Sequence, residues 1–354
     1  MGNILSNQNF LEVEELSVWF ETYQGTARAV EDVALHISRG EVVGLVGETG
    51  CGKTVTSMGI LGLVKSPGWI AKGRVIFEGE DLLQKTEKEL RKIRGKGISM
   101  IFQEPMNSLN PVFRIDRQFL EILRLHHNLD RQAARRKMMQ SFEDVGLPDK
   151  ESIGRMYPHQ LSGGMQQRVM IAIALACNSK LLIADEPTSA LDVSTQLQFL
   201  KILRRIQQES GMSILMISHD IGVVGSICER IYVMYAGGIV EGGKVAAIIN
   251  RPAHPYSVGL IGSVPVLGKK QETLHVIKGE VPSLLALPKG CRFCARCPLA
   301  EGVCRETLPE AIEVEPGHLV RCHFVERGSS MGDGLSEGRC VTGSVGSAPM
   351  GSST

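Results

Sequence analysis

Short runs in which apolar and polar residues alternate dominate the chain between residues 10 and 46. Alternation with a period of two is typical of strands that are buried on one face, so this region predicts the antiparallel part of a mixed sheet. The region ends in the wholly apolar run 42–46, which predicts a further strand. The pattern also predicts a hairpin at 75–79 and a strand at 100–102.

The pattern changes to helical periodicity between about residues 115 and 156. We interpret this region as a helical insert on the sheet. Two later apolar runs, 181–184 and 214–217, have the composition of strands in a buried sheet. Together these elements predict an α/β fold with a mixed β-sheet core, an antiparallel β subdomain and a helical subdomain.

Composition narrows the class of protein. The chain has 354 residues, 43% of them hydrophobic, which is enough for one large domain or two smaller ones. Its formal net charge of +1 provides no global basic field, so nucleic acid is not an expected partner. No uninterrupted apolar stretch is long enough to cross a bilayer, and residues 1–9 lack a signal-peptide pattern. We expect a soluble cytosolic protein or one bound peripherally to a membrane.

A glycine-rich loop follows the apolar run 42–46, and a helix is predicted from Val55 onward. Strand, glycine loop and helix in this order, with a Lys-Thr pair ending the loop, form the phosphate-binding loop pattern. Lys53 can reach β- and γ-phosphates, and the Thr54 hydroxyl suits Mg²⁺. A plain glycine turn is the alternative, but a turn requires neither side chain. The predicted nucleotide-binding residues of the loop are Gly47, Glu48, Thr49, Gly50, Cys51, Gly52, Lys53 and Thr54.

Polar residues follow three other predicted strands and suit the same chemistry. Gln103 can coordinate Mg²⁺ or its bound water, and Asp185 suits the hydration shell of the ion. Glu186 can accept a proton from the attacking water, and His219 can contact the γ-phosphate. A pair of acids that merely caps a strand is the alternative for Asp185 and Glu186. The sequence therefore predicts a Mg²⁺ site at Thr54, Gln103 and Asp185, with Glu186 and His219 as catalytic residues.

Two further features are compatible with a nucleotide. The glycine turn 161–166 opens a predicted helix, and its N–H groups and the Ser162 hydroxyl suit an anion. A capped helix start gives the same pattern. Tyr23, or failing it Phe20, lies where an aromatic ring can stack on a purine, although a core or hairpin aromatic is an equal alternative.

Taken in chain order, these motifs resemble the nucleotide-binding subunit of ABC transporters over about residues 10–250. The resemblance implies a P-loop NTPase fold of ABC type, in which two subunits bind two ATP molecules head to tail. It is carried by the phosphate loop, Gln103, the Leu-Ser-Gly-Gly-Met-Gln signature at 161–166, Asp185 with Glu186, the turn 189–192 and His219. The resemblance also implies residues that would complete the nucleotide sites. The signature residues Ser162, Gly163, Gly164 and Gln166 would contact the ATP of the partner subunit. Asp192, in the turn, would be a further nucleotide-binding residue.

The resemblance also implies partners. Closing on ATP and opening after hydrolysis would drive two integral membrane permease subunits, with an extracytoplasmic solute-binding protein in the complex. The groove beside residues 103–111 would receive a helix of a permease. Because Glu186 and the signature are both present, we expect a hydrolysing subunit, peripheral at the cytoplasmic face of the cell (inner) membrane. The second ATP-binding subunit is either a paralogue or another copy of this chain.

Two other function classes remain alternatives. A non-transport ABC ATPase that works on DNA or ribosomes usually has a long coiled coil or two fused cassettes, and the sequence shows neither. A purely regulatory or binding module is disfavoured because Glu186 and His219 are both present.

Several segments resemble the oligopeptide/dipeptide importers in particular. This resemblance implies import of di- or oligopeptides. Importers of nickel and other metal chelates share much of the pattern, so import of a metal chelate or of another small solute is the alternative. The segments are 102–111, 157–160, 233–237 and, in a C-terminal extension, 254–256 and 281–283.

The expected domain boundaries follow from these segments. We expect an ABC nucleotide-binding domain at 10–250 with a helical subdomain at about 104–180, and a C-terminal extension at 251–326 that forms a small Cys-rich subdomain. Residues 327–354 are rich in Gly and Ser and predict a flexible tail.

Five cysteines lie close together in the sequence of the extension, between residues 291 and 322. Their spacing would let four thiolates surround one centre, which suits a cubane iron–sulfur cluster or a structural zinc ion. Free thiols in a small loop-rich subdomain are the third interpretation. Members of the peptide-importer group with a similar stretch can carry a [4Fe-4S] cluster, and the resemblance places it on Cys291, Cys297, Cys304 and Cys322. Cys294 departs from the family pattern and leaves the ligand set open.

Overall fold

The computed structural model describes residues 10–103, 108–127, 129–189, 191–263 and 277–325. Within these residues the strands form two sheets, one of four strands and one of eight. Residues 104–107 of the predicted Gln103 loop and the predicted tail from 327 lie outside the described residues. In chain order the strands are β1 Leu11–Thr22, β2 Gly25–Ile37, β3 Val42–Val46, β4 Gly68–Phe77, β5 Glu80–Asp81, β6 Ile98–Ile101, β7 Leu181–Asp185, β8 Ser213–Ser218, β9 Arg230–Tyr235, β10 Gly238–Lys244, β11 Ile312–Glu315 and β12 His318–Val320.

The N-terminal alternating region forms the smaller sheet, in the order β2-β1-β4-β5 with antiparallel pairing throughout. The larger sheet has the order β11-β12-β10-β9-β3-β8-β7-β6. Strands β9, β3, β8, β7 and β6 run parallel to one another. Strands β10, β12 and β11 continue the sheet beyond β9 with antiparallel pairing. The sheet is therefore mixed, as predicted, and the carboxyl ends of its parallel strands meet at one edge, where open α/β sheets bind ligands.

The central strand β3 shows how two cores arise from one sheet. All five of its residues are buried. Val42 and Val46 belong to one core together with Phe119 of the helical region. Val43 and Leu45 belong to a second core, which they share with the apolar faces of β1 and β2. Because successive side chains of a strand point to opposite faces, a strand buried on both faces must be apolar throughout.

Helices surround the larger sheet. The periodic region 115–156 resolves into three helices, and Asp130 caps the second of them by accepting a hydrogen bond of 2.7 Å from the N–H of Ala133. In the part of the chain that the structure describes, no helix is both long and apolar enough to cross a membrane. The helices are α1 Lys53–Ile60, α2 Glu87–Ile93, α3 Ile115–His127, α4 Arg131–Asp144, α5 Lys150–Arg155, α6 Gly163–Ala176, α7 Val193–Ser210, α8 Ile221–Ile227, α9 Val245–Asn250, α10 Pro255–Gly262 and α11 Gly302–Glu306.

The C-terminal extension is built onto the larger sheet. Strand β12 pairs with β10, and a buried hydrogen bond of 2.7 Å between the imidazole of His318 and the carboxylate of Glu241 joins these two strands. Cys291 and Cys297 pack against the large core, whereas Cys322 packs against a small cluster of its own. A separate Cys-rich subdomain is therefore not confirmed, because the strands of the extension complete a sheet that begins in the nucleotide-binding region.

Candidate nucleotide-binding site

The phosphate loop connects the buried end of β3 to the first turn of α1. Gly52, directly before the helix, has a φ of 107°, which favours glycine. A Cβ at Gly52 would lie 2.6 Å from the carbonyl oxygen of Ala29, and a Cβ at Gly47 would lie 2.1 Å from that of Met234. These close approaches of backbone to backbone explain the two glycines, and they fix the loop against β2 and β9.

Lys53 is held over the loop from which it starts. Its side chain is only 5% exposed. The Nζ atom donates hydrogen bonds to the carbonyl oxygens of Gly47, at 2.8 Å, and Glu48, at 3.0 Å. It also lies 3.9 Å from a carboxylate oxygen of Glu186. The structure therefore places the cation between the loop and the predicted catalytic acid.

Three predicted site residues converge on the carboxylate of Glu186. The Gln103 amide donates a hydrogen bond of 3.0 Å to its Oε2 atom, and His219 Nδ1 lies 3.3 Å from the same oxygen. Lys53 approaches the other oxygen. Glu186 itself has a φ of 45°, a left-handed conformation that costs a non-glycine residue about 1 kcal/mol or more and often marks functional sites.

Asp185 lies one residue earlier, at the buried end of β7. Burial raises the pKa of its carboxyl, and a hydrogen bond from the Thr54 hydroxyl opposes that rise. Its Oδ1 atom is buried and has no hydrogen-bond partner among the described residues. Buried polar atoms normally have a partner, and a carboxylate oxygen beside a hydroxyl suits Mg²⁺ or its bound water. Asp185 and Thr54 therefore fit the predicted Mg²⁺ ion, and coordination by Gln103 stays a prediction.

The signature turn stands apart from this cluster within one subunit. No hydrogen bond or ion pair in the described residues joins it to the phosphate loop. Ser162 and Gly163 are exposed, and the Ser162 hydroxyl caps α6 by accepting from the N–H of Met165 at 3.4 Å. Gln166 is buried, and its amide donates to the carbonyl oxygens of Pro158 and Leu161. Gln166 thus holds the turn, and its contact with a nucleotide stays a prediction.

Two other predicted nucleotide contacts also remain untested. Asp192 caps α7, because its carboxylate accepts hydrogen bonds from the backbone N–H and the hydroxyl of Thr195. These hydrogen bonds lower the pKa of the Asp192 carboxyl. Tyr23 is fully exposed in the turn between β1 and β2, so its ring is accessible for stacking. Phe20, the alternative, is half-buried.

Comparison with known proteins identifies the family. The model of the ABC transporter family matches residues 30–189, and that of the oligopeptide/dipeptide transporter C-terminal region matches 240–304. The oligopeptide transport ATP-binding protein AppD of Bacillus subtilis is 47% identical over 317 residues, which cover 89% of this chain and 97% of the relative. The chain belongs to the ABC transporter family. The oligopeptide transport ATP-binding protein OppD of Escherichia coli is 45% identical, with 88% of this chain and 92% of the relative covered.

Solved structures of ABC cassettes agree with this assignment. The dimeric, post-hydrolysis cassette MJ0796 bound to ADP and Pi has a TM-score of 0.61 and 27% identity, covering 66% of this chain and 98% of that one. CbiO1 of Clostridium perfringens, part of the transporter complex cbiONQ, has a TM-score of 0.58 and 28% identity, covering 68% of this chain and 91% of that one. The predicted resemblance to ABC subunits of the peptide-importer group is thus confirmed.

Two residues that contact the phosphate loop escape sequence analysis. Arg296 makes a two-pronged ion pair with the Glu48 carboxylate, at 2.8 and 3.1 Å. The Tyr256 hydroxyl accepts a hydrogen bond of 2.9 Å from the N–H of Glu48. Both side chains come from the extension, and no local pattern indicates that they contact the phosphate loop.

The predicted cluster ligands are thiols of the C-terminal extension. In the described residues no group of three or more His, Cys, Asp or Glu side chains is placed to hold a metal ion, so this test supports neither iron–sulfur nor zinc. Each of the six pairs that the four thiols form nevertheless contributes an electrostatic influence to a thiol pKa, and the backbone N–H of Cys291 donates a hydrogen bond of 2.8 Å to the carbonyl oxygen of Cys304. Cys294 affects the pKa of Cys291 but is not among the main influences on the other thiols. The four predicted ligands are Cys291, Cys297, Cys304 and Cys322.

Proposed function

We propose that this chain is the ATP-hydrolysing subunit of an ABC importer of di- or oligopeptides. The observation that carries the proposal is the convergence of Lys53, Gln103 and His219 on the Glu186 carboxylate. Membership of the ABC family supports the ATPase. The match at 240–304 and the names of the relatives, which are oligopeptide and dipeptide transport proteins, support the cargo.

Glu186 is the general base of the proposed reaction. It orients the attacking water and accepts its proton as the bond to the γ-phosphate forms. The amide of Gln103 and the imidazole of His219 hold the carboxylate, and His219 is half-exposed, so its other ring nitrogen is free to face the γ-phosphate. Lys53 offsets the negative charge of the β- and γ-phosphates.

The Mg²⁺ ion would be held by Thr54, Gln103 and Asp185. When bound, it supplies further neutralisation of the phosphate charge. In the described residues, one carboxylate oxygen of Asp185 is buried and accepts no hydrogen bond from the protein, which leaves it available to the ion. The Thr54 hydroxyl fixes the orientation of that carboxylate.

A second ATP-binding subunit, a paralogue or another copy of the chain, completes each ATP site in this proposal. The exposed Ser162 and Gly163 would face the nucleotide of the partner, together with the neighbouring Gly164. The backbone N–H groups at the start of α6 suit an anion, because a helix N-terminus carries unpaired donors and a positive dipole end. Asp192 and Tyr23 remain proposed contacts with the nucleotide.

The complete transporter would add two membrane permeases and an extracytoplasmic solute-binding protein. This chain would lie at the cytoplasmic face of the cell (inner) membrane as a peripheral subunit. ATP-driven closure moves the permeases only if the closed and open states bind ATP with different affinity. Nucleic acid is not a proposed partner, because the net charge is only +1.

Uptake by cells tests the proposed cargo. Deleting this gene should abolish accumulation of a labelled oligopeptide, and the wild-type gene should restore it, while uptake of a free amino acid stays unchanged as the control. Loss of nickel uptake in place of peptide uptake would establish the alternative, a nickel or metal-chelate importer. Unchanged uptake of both would refute the import function.

We also propose that Cys291, Cys297, Cys304 and Cys322 hold a [4Fe-4S] cluster, with zinc as the alternative. The proposal is supported by the packing of Cys291 and Cys297 against the large core, by the backbone hydrogen bond between Cys291 and Cys304, and by the electrostatic influence of the four thiols on one another. A cluster at this point would cross-link a loop-rich segment of the chain. The proposal concerns stability, because the cysteines are not part of the phosphate site.

Anaerobic purification with metal analysis and a visible spectrum tests this assignment. Wild type should contain about four irons per chain with broad visible absorption, and Cys297→Ser should lose both. Cys294→Ser is the matched control and should retain them, because Cys294 lies outside the proposed ligand set. One colourless zinc per chain would establish the alternative, and a metal-free wild type would contradict both.

A further inference from the structure

The loop at 291–297 sends two buried arginines into the nucleotide-binding region, and they reach different targets. Arg292, 9% exposed, pairs with Glu31 at 3.0 Å and donates to the Ala236 carbonyl oxygen. Arg296, 5% exposed, binds both carboxylate oxygens of Glu48 in the phosphate loop. Two-pronged pairs of guanidinium and carboxylate are among the strongest charge-assisted hydrogen bonds, and their geometry is specific.

The Arg296 guanidinium is fixed on every side. Besides Glu48, it donates to the carbonyl oxygens of Ile277, at 3.2 Å, and Lys278, at 3.0 Å, and to the Tyr235 hydroxyl, at 3.3 Å. Its Nε, Nη1 and Nη2 atoms are therefore all engaged. A side chain held in this way can impose its position on a partner that is less constrained.

Glu48 is that partner, and it belongs to the phosphate loop itself. Its carbonyl oxygen accepts a hydrogen bond from Lys53, and its N–H donates to the buried hydroxyl of Tyr256. The extension thus holds Glu48 through its side chain and its backbone at once. Any displacement of Glu48 would disturb the carbonyl group that orients Lys53.

The charge of Glu48 poses a separate problem for phosphate binding. A carboxylate at the second position of this loop repels the phosphates that the loop binds. An uncompensated unit charge roughly 10 Å from a phosphate changes an equilibrium by about tenfold when the effective dielectric constant is about 20. The bound guanidinium of Arg296 offsets this charge.

We propose that Arg296 is a positioning residue for the phosphate loop. It neutralises the Glu48 carboxylate and holds it in place. The inference rests on the proposed function, because phosphates are the ligand in both. Arg296 lies between Cys294 and Cys297, so ATP affinity depends on the correct folding of the cysteine loop. The extension is thereby a part of the nucleotide site.

A double-mutant cycle tests the proposal. We expect Arg296→Met to weaken ATP binding, measured by titration calorimetry on the full chain, by more than about tenfold, because Glu48 is left uncompensated and is no longer held in place. ADP, which carries less charge, should lose less affinity than ATP. In a Glu48→Gln background the same change should cost clearly less, because the two-pronged ion pair that positions the loop is already lost and only the direct attraction between the guanidinium and the phosphates is removed.

Arg292→Met is the matched control, since it removes a buried arginine from the same loop without touching Glu48. Any loss of ATP affinity that it causes should be the same in the Glu48→Gln background. Arg296→Lys keeps the charge and should lose less affinity than Arg296→Met; it also provides a cycle with Glu48→Gln if the methionine variant does not fold.

Two results would overturn the proposal. One is an unchanged ATP affinity in both Arg296 variants. The other is an equal loss of affinity in the wild-type and Glu48→Gln backgrounds, which would show that Arg296 acts by its own charge or by a general structural role and not through Glu48. Failure of the wild type to bind ATP would instead refute the proposed function, and this inference with it.

Discussion

Replacing Glu186 with glutamine should lower ATP hydrolysis by about 10²–10⁴-fold, the usual contribution of a general base. Glutamine keeps the shape of the side chain and can still accept a hydrogen bond from Gln103. It cannot accept the proton of the attacking water. ATP affinity should be retained or rise slightly, because the change also removes a negative charge near the phosphates. Phosphate release and ATP titration on the same preparation measure the two effects.

The control for this change is a carboxylate outside the site. Glu209 on α7 is 68% exposed, so Glu209→Gln should hydrolyse ATP at the wild-type rate. Undiminished phosphate release by Glu186→Gln would contradict the assignment of the catalytic base.

Replacing Lys53 with methionine should weaken ATP binding by about a hundredfold. Hydrogen bonds to a charged group contribute about 1.5–3 kcal/mol each, and the lysine would contact phosphates whose charge it also offsets. The side chain is buried against the loop, and methionine retains its apolar stem without the ammonium group. ATP titration measures the loss, and hydrolysis should fall with it.

Lys201→Met is the comparison for this variant, because Lys201 is exposed on α7 and makes no contact with the loop. Its affinity for ATP should equal that of the wild type. If Lys53→Met bound ATP as tightly as the wild type, the phosphate loop would not be the ATP site.

The phosphate loop and the ends of the parallel strands are predictable because their signals are local. A strand, a glycine loop and a Lys-Thr pair follow one another in the sequence, and each polar residue at a strand end directly follows an apolar run. The convergence of Gln103, Glu186 and His219 then follows from the fold, since parallel strands bring their carboxyl ends to one edge.

Other features depend on information that the local sequence lacks. The signature sequence does not indicate the direction of the Gln166 side chain. In the structure this side chain donates hydrogen bonds to the carbonyl oxygens of Pro158 and Leu161 beside its own turn. The sequences of the short strands β11 and β12 also do not indicate their pairing partners. The sequence therefore predicts a separate subdomain, whereas in the structure these strands extend the larger sheet.

Contacts between distant parts of the chain are the least predictable. Arg296 lies 248 residues from Glu48, and Tyr256 lies 208 residues from it. An arginine in a cysteine-rich loop is normally interpreted as a solvated charge. Only the packing of the extension on the sheet turns it toward the phosphate loop.

Peptide accumulation in sealed vesicles tests the central claim most directly. The purified complex that contains this chain would be reconstituted with its cytoplasmic face accessible to ATP and the solute-binding protein and labelled peptide on the opposite side. The account predicts peptide transport that requires ATP and Mg²⁺ and is lost in Glu186→Gln. Steady ATP hydrolysis without movement of any di- or oligopeptide would contradict it.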